Sequence, residues 1–231
     1  MARAPGTSVR TDAEVLNVSA QGPTVRVTWR ERGVTDQRAF DAAVIAVPGS
    51  LVPAIVSGLE PQARTFFDQV SYVGHHILYA ICEFPDGPVK PRSLLLPTVE
   101  GYRCLSNINL KVMQDGRYLL YGEVKGARCA QLVGANDADI IEEALEEFSR
   151  ALPSYGRPRV VDCYVQRNDI GLCRRQVGYT RSLEQFRGLA PIPRMEFAGD
   201  YLISSTVGQA HHSGLEAAER LWARLNQHLA A

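Results

Sequence analysis

The chain has 231 residues, 45% of them hydrophobic and 22% charged, and 25 Lys+Arg balance 25 Asp+Glu. That composition belongs to a folded globular protein rather than a disordered one, and zero net charge with scattered basic residues argues against nucleic acid as a partner. No stretch approaches the ~18 apolar residues of a membrane span, and the opening MARAPGTSVRTDAEV lacks the apolar run of a signal peptide. Cys82, Cys104, Cys129, Cys163 and Cys173 are odd in number and contain no CxxC pair. Reduced thiols and a cytoplasmic location are expected, not a disulfide framework or a zinc ribbon.

In chain order, Thr24 to Trp29 alternates Val25, Val27 and Trp29 with Thr24, Arg26 and Thr28, the period of a half-buried strand, after a turn at Gln21-Gly22-Pro23. The run Asp41 to Val47 stops at Pro48-Gly49 and predicts a strand buried on both faces, the habit of α/β sheets. A short helix is predicted from Pro61 to Phe67. Four β-rich runs follow, His76 to Phe84, Arg92 to Leu96, Tyr102 to Asn109 and Tyr118 to Val124. Turn clusters at Pro85-Asp86-Gly87-Pro88 and Gln114-Asp115-Gly116 separate them, which predicts an antiparallel sheet.

From Asp137 to Leu152, Ile140, Ile141, Ala144, Leu145, Phe148 and Leu152 form one helical stripe, with Glu142, Glu143, Glu146 and Glu147 expected to face away. Asn136 or Asp137 can cap this helix, and Pro153 follows it. Val160 to Gln166 reads as a further strand. The chain closes with a predicted strand from Met195 to Leu202, a Ser/Thr/Gly turn, and a helix from Val207 to Leu229. Gly214, Leu215, Ala218, Leu221, Trp222, Leu225 and Leu229 keep helical spacing along it. There is no internal repeat and no low-complexity tract.

The stretch Phe197 to Ala218 carries the chemistry. An apolar strand ends in Gly199-Asp200, a short polar turn follows, and the next helix begins with small residues. Free N–H groups at a helix start, aided by the macrodipole, suit an anion or an electron-rich carbonyl. The Asp200 carboxylate can accept from a ribose or ribityl hydroxyl, and Gly208, Ala210 and Gly214 let a flat ligand or a neighbouring backbone approach. An ordinary strand, turn and helix with a capping Asp reads the same residues without a ligand.

Phe-Ala-Gly-Asp-Tyr followed by Thr-Val-Gly-Gln-Ala-His-His-Ser-Gly-Leu-Glu-Ala-Ala resembles the C-terminal flavin-binding motif of the FAD-dependent amine oxidases, protoporphyrinogen oxidases and phytoene-desaturase-type enzymes. Glu14 to Val18, the Val25 to Trp29 strand and Asp41 to Pro48 are similar to that superfamily's adenine-contacting strand, hairpin and return strand. The resemblance implies an α/β (α+β) fold in which residues 1–58 and 194–231 form the C-terminal part of a Rossmann-like FAD-binding domain. Residues 59–193 would form an antiparallel-sheet substrate-binding domain with helices.

It also implies roles. Gly199 and Asp200 would meet the phosphate and ribityl part of FAD, and Val15 would touch adenine through its backbone. The backbone of Val207 would lie against the pyrimidine edge of the flavin, with Thr206, Gly208 and Ala210 beside it, a helix end able to stabilise the anionic reduced flavin. No catalytic residue is singled out. The superfamily opens with a GxGxxG turn that cradles the pyrophosphate, and this sequence has none. The expectation is a split enzyme: the C-terminal subunit of a heterodimeric FAD-dependent oxidoreductase, oxidase or dehydrogenase, whose partner polypeptide carries the GxGxxG half. It would remove hydride from a C–N or C–C unit of a small organic substrate. The alternatives are a fragment of a longer chain, or a non-catalytic scaffold or relic subunit that has lost FAD. Thr206 stands where amine oxidases of this group often carry an aromatic residue, and Ile77 to Phe84 lacks their lysine. The protoporphyrinogen-oxidase and desaturase-like branches therefore fit the sheet region at least as well as an aromatic-cage amine oxidase.

Other residues have two readings each. His75-His76 and His211-His212 are adjacent pairs whose side chains diverge, so each offers at most one ligand to a metal, and no metal site is expected. His211 or His212 could relay a proton beside a flavin or lie on a helix surface. Arg174, Arg175 and Arg181 around Tyr179 could grip an acidic substrate or decorate a solvated loop. Tyr164, Tyr179 and Tyr201 could line a pocket or serve as half-buried packing. The cysteines read as core thiols.

Overall fold

The computed structural model describes residues 7–99 and 101–229, with side chains as far as Asn226. Residues 1–6 of the opening stretch and the side chain of Leu229 lie outside the described residues. The architecture is mixed helix and sheet, divided into two compact units, one reaching to Ser71 and resuming at Cys173, the other running from Tyr72 to Leu172.

The first unit begins with a meander of β1 (Ala13–Gln21), β2 (Thr24–Glu31) and β3 (Val34–Phe40). Its second turn places Arg32 and Gly33 both at positive φ, the geometry that a two-residue hairpin turn requires. β3 reads VTDQRAF and is exposed throughout, so no apolar alternation announces it. β4 (Ala43–Ile45) leaves this sheet, and after helix α1 (Val52–Ile55) the two-residue β5 (Val56–Ser57) pairs parallel with β1. Helix α2 (Pro61–Gln69) completes the segment, and β6 (Ser71–Val73) spans the boundary into the second unit.

The second unit is a five-stranded antiparallel sheet made of β7 (Ile77–Glu83), β8 (Arg92–Leu95), β9 (Asn107–Val112), β10 (Tyr118–Glu123) and β11 (Arg159–Gln166), ordered β11-β7-β10-β9-β8. Helix α3 (Gly126–Cys129) and helix α4 (Asp137–Ala151) follow β10. Alternate residues Leu78, Ala80, Cys82, Ile108, Leu110 and Leu120 share one core with Ile140, Ile141, Ala144, Leu145 and Phe148 of α4. The cap of α4 is Asn136, whose side chain accepts the Asp139 N–H at 2.9 Å.

Two expectations are corrected here. Glu147 does not face away: it is 3% exposed, and its carboxylate accepts the N–H groups of Arg103, Cys104 (2.7 Å) and Leu105 (2.9 Å). Those three donors are thereby satisfied by a side chain rather than by a neighbouring strand, which is why the strand predicted from Tyr102 begins only at Asn107.

The chain returns through β12 (Leu172–Arg174) to helix α5 (Tyr179–Arg187), β13 (Met195–Phe197) and helix α6 (Val207–Leu229). α5 replaces the loop reading of this region; Gly178 at positive φ opens it, and Tyr179 and Leu183 are its buried face. Phe66 and Phe67 of α2 meet α5 and β13 through a ring cluster, with Phe66 stacked on Phe186 at 4.5 Å and Phe67 against Phe197 at 4.9 Å. α2 and α5 therefore belong to the first unit, and the division at Ser71 and Cys173 differs from the boundary drawn on the sequence at 58 and 194. All five cysteines are free. Burial pushes the Cys82 and Cys104 thiols up to about 12, as inert core thiols require.

Candidate functional site

β13 lies parallel to β4, with Met195 opposite Ala43, Glu196 opposite Val44 and Phe197 opposite Ile45. The expectation of a long strand buried on both faces is overturned. β4 has three residues, Val44 is 39% exposed, and β13 is its one strand partner among the described residues.

β13 also stops early, at Phe197 rather than Leu202. Gly199 adopts φ 157°, ψ 169°, a conformation essentially reserved for glycine, and a 3-10 turn spans Asp200–Leu202. Asp200 thus stands in a turn just past the strand, partly exposed. A Cβ on Gly199 would lie 2.3 Å from the Tyr201 ring, and one on Gly49 would lie 2.9 Å from the same ring, which is fully buried. The ring fills the space that the two glycines leave open.

Side chains then fix the turn. The Gly199 N–H donates to Ser213 Oγ at 3.0 Å, the Tyr179 hydroxyl donates to the Tyr201 carbonyl at 2.8 Å, and Arg187 donates to the Leu202 carbonyl at 2.6 Å. Arg175 donates to the Ile203 carbonyl. Sequence reasoning did not assign Tyr179, Arg187 or Ser213 to the turn. The apolar period of Tyr179, Leu183 and Phe186 was the signal for α5, which carries the first two.

At the start of α6, Thr206 Oγ1 accepts the Gln209 N–H at 3.3 Å and the Thr206 carbonyl accepts the Ala210 N–H at 2.9 Å. The N–H groups of Val207 and Gly208 are first-turn donors with no intrahelical acceptor. Val207 is 89% exposed, and a Cβ on Gly208 would meet nothing within 4 Å. Open donors at the positive end of a 23-residue helix and a carboxylate in the preceding turn suit a ligand bearing hydroxyls and an electron-rich edge. The ribityl and ring end of a flavin has that donor and acceptor pattern. These residues contain no glycine-rich cradle for a pyrophosphate.

The structure brings Gly199, Asp200, Thr206, Val207, Gly208 and Ala210 into one strand, turn and helix start. Val15 sits on another sheet, paired with Trp29 beside a bulge in β1. His211 and His212 are exposed on α6, His212 3.2 Å from Glu216. His76 is buried; its Nδ1 accepts the Asn168 N–H at 3.3 Å, and burial lowers its pKa. No group of residues among those described could hold a metal ion. Tyr179 and Tyr201 are fully enclosed packing residues, not pocket walls, while Tyr164 is exposed. No helix among the described residues is long and apolar enough to cross a membrane.

A family model described as flavin containing amine oxidoreductase matches residues 1–222. No curated protein matches the chain. Among 221 matching chains of solved structures is a protein of Exiguobacterium sp. 255-15, provisionally assigned as a protoporphyrinogen oxidase. The two superpose with a TM-score of 0.71 at 15% identity, over 93% of this chain and 47% of that one. The likeness is one of fold, and the chain spans about half the length of that structure.

Proposed function

The chain belongs to the flavin-containing amine oxidoreductase family, and from that premise we propose that it is the C-terminal subunit of a two-chain FAD-dependent oxidoreductase. The substrate would be a small organic molecule that loses hydride from a C–N or C–C unit. The observation that carries this reading is the turn at Gly199-Asp200 leading into the open N-terminus of α6. A partner polypeptide would bring the GxGxxG turn that cradles the pyrophosphate, a part this sequence lacks.

Bound there, FAD would supply two-electron redox chemistry. Asp200 would accept a hydrogen bond from a sugar or ribityl hydroxyl. Val207 and Gly208 would present N–H donors and the positive helix end to the electron-rich edge of the ring, and the missing Cβ at Gly208 would leave room for it. Val15 is proposed to meet the adenine through its backbone. The second unit, Tyr72 to Leu172 with its five-stranded sheet, would hold the substrate and exclude water.

Asp200→Ala tests the reading. With the fold intact by circular dichroism, flavin affinity should fall by about 1.5 to 3 kcal/mol, as expected for a charge-assisted hydrogen bond. Unchanged retention of the visible flavin band through purification would sink the assignment, and a complex that is colourless at every stage would favour the scaffold alternative.

A further inference from the structure

We propose that the open edge of β4, together with the uncharged flank of α6, is the surface on which the partner polypeptide docks, adding a parallel strand and laying the following helix along α6. This rests on the two-chain reading and specifies where and how the second chain attaches.

The edge comes first. The Ala43 N–H donates to the Arg194 carbonyl, and the Ile45 carbonyl accepts the Ala198 N–H, so both residues are engaged on the β13 side. Strand alternation then turns the N–H and C=O of Val44 towards the other edge, where no strand stands among the described residues. A parallel pair of three residues per strand is not a stable unit by itself, since parallel sheets are multi-stranded and covered on both faces. Natural proteins blunt exposed edges with charge, proline or a bulge, yet β4 reads Ala-Val-Ile.

The helix points the same way. One flank of α6 carries Glu216, Arg220 and Arg224, and both arginines pair with Glu196 of β13. That flank leans over β13; α6 also packs on β4, and the uncharged flank runs from that side round to solvent. It carries Gly214, Leu215, Ala218, Trp222 and Leu225 without a single acid, lysine or arginine. Trp222 is 67% exposed, and a Cβ on Gly214 would meet nothing within 4 Å, so another helix can approach closely. Edge and flank belong to elements that pack on each other, one asking for a parallel strand and the other for an apolar helix. A strand–helix segment meets both needs at once. In the Exiguobacterium structure more than half of the chain lies outside the match, ample length for such a segment.

The test uses the native complex, with its second polypeptide identified by mass spectrometry, separated and recombined with the chain or its variants. Val44→Pro removes only an N–H on the open edge, which an edge strand tolerates, and should weaken association about 100-fold with the melting temperature of the free chain unchanged. Trp222→Arg and Ala218→Arg, both at exposed positions, should weaken it at least about 10-fold. In a Trp29→Phe background, Trp222 emission should shift blue and resist quenching on docking. Wild-type affinity in Val44→Pro and both arginine variants would overturn the docking surface while leaving the two-chain reading intact. A purified chain that takes up FAD without a second polypeptide would overturn that reading itself. Concentration-dependent self-association abolished by Val44→Pro would show that a second copy closes the edge and would overturn the strand–helix occupant.

Discussion

Two sheets of this molecule, one in each unit, solve the burial problem differently. In the second unit, five antiparallel strands and α4 enclose a core within one continuous stretch of chain, β8, β9 and β10 pairing with their neighbours in sequence and β7 closing on β10 and β11. In the first unit, β4 and β13 are separated by about 150 residues of chain, pair over three residues, and leave both outer edges without a further strand among the described residues and one helix flank open. Antiparallel strands can complete themselves from their neighbours in sequence, whereas parallel strands depend on what distant segments bring. The region that carries the flavin-family motif is thus the region that cannot finish its own sheet.

Four substitutions and one titration sharpen this contrast. Phe148→Ala, at the centre of the core between α4 and the sheet, should destabilise the second unit by about 3 to 5 kcal/mol in denaturant unfolding. A loss under 1 kcal/mol would mean that the sheet does not depend on α4. Gly199→Ala forces a Cβ into the Tyr201 ring and imposes a conformation alien to alanine, for a loss of about 2 to 4 kcal/mol read from thermal melts. If the melt is unchanged, the turn is looser than its contacts imply. Glu147→Gln keeps the shape but removes the charge from three hydrogen bonds, and should cost about 1.5 to 3 kcal/mol with faster amide exchange at Arg103, Cys104 and Leu105. Asn136→Ala removes the cap of α4 and should cost about 1 kcal/mol.

The smallest effect is a pH slope. His76 is held neutral, with its folded pKa below the ordinary value of 6.5 and its Nδ1 accepting a backbone N–H. Below about pH 6.5 the unfolded chain gains a proton that the folded chain resists, so stability should decline as pH falls through that range. A His76→Gln variant should flatten the slope in unfolding experiments run from pH 7.5 down to 5.5. An identical slope in wild type and variant would assign it to other groups.

Much of this was legible in the sequence for reasons that can be named. α4 announced itself through a six-residue stripe, a cap and a following proline, all local signals. The strands of the second unit were legible because turn clusters separate them. Glu147 was not, because its partners lie 42 to 44 residues away and a run of glutamates on a helix ordinarily marks the solvent face. In α6 the apolar residues were visible but their destination was not: the buried line is Ser213, Ala217 and Leu221, while Leu215 and Trp222 stay exposed. Periodicity identifies an apolar flank but not what covers it. In the site, the glycine and aspartate were legible as a motif, whereas two of the side chains that hold the turn, Tyr179 and Arg187, come from α5, a helix masked by its arginines.

The Tyr201 ring lodged between Gly49 and Gly199 ties three positions into one inheritance rule. The volume of a phenol ring is shared out among 49, 199 and 201, so none of them can drift alone. In a library randomised at the three sites, surviving clones with alanine or serine at 49 or 199 should carry a smaller side chain at 201, and clones retaining tyrosine should retain both glycines. The turn after β4 that holds Gly49 and the turn bearing Asp200 would then evolve as a single character, although about 150 positions separate them in the chain.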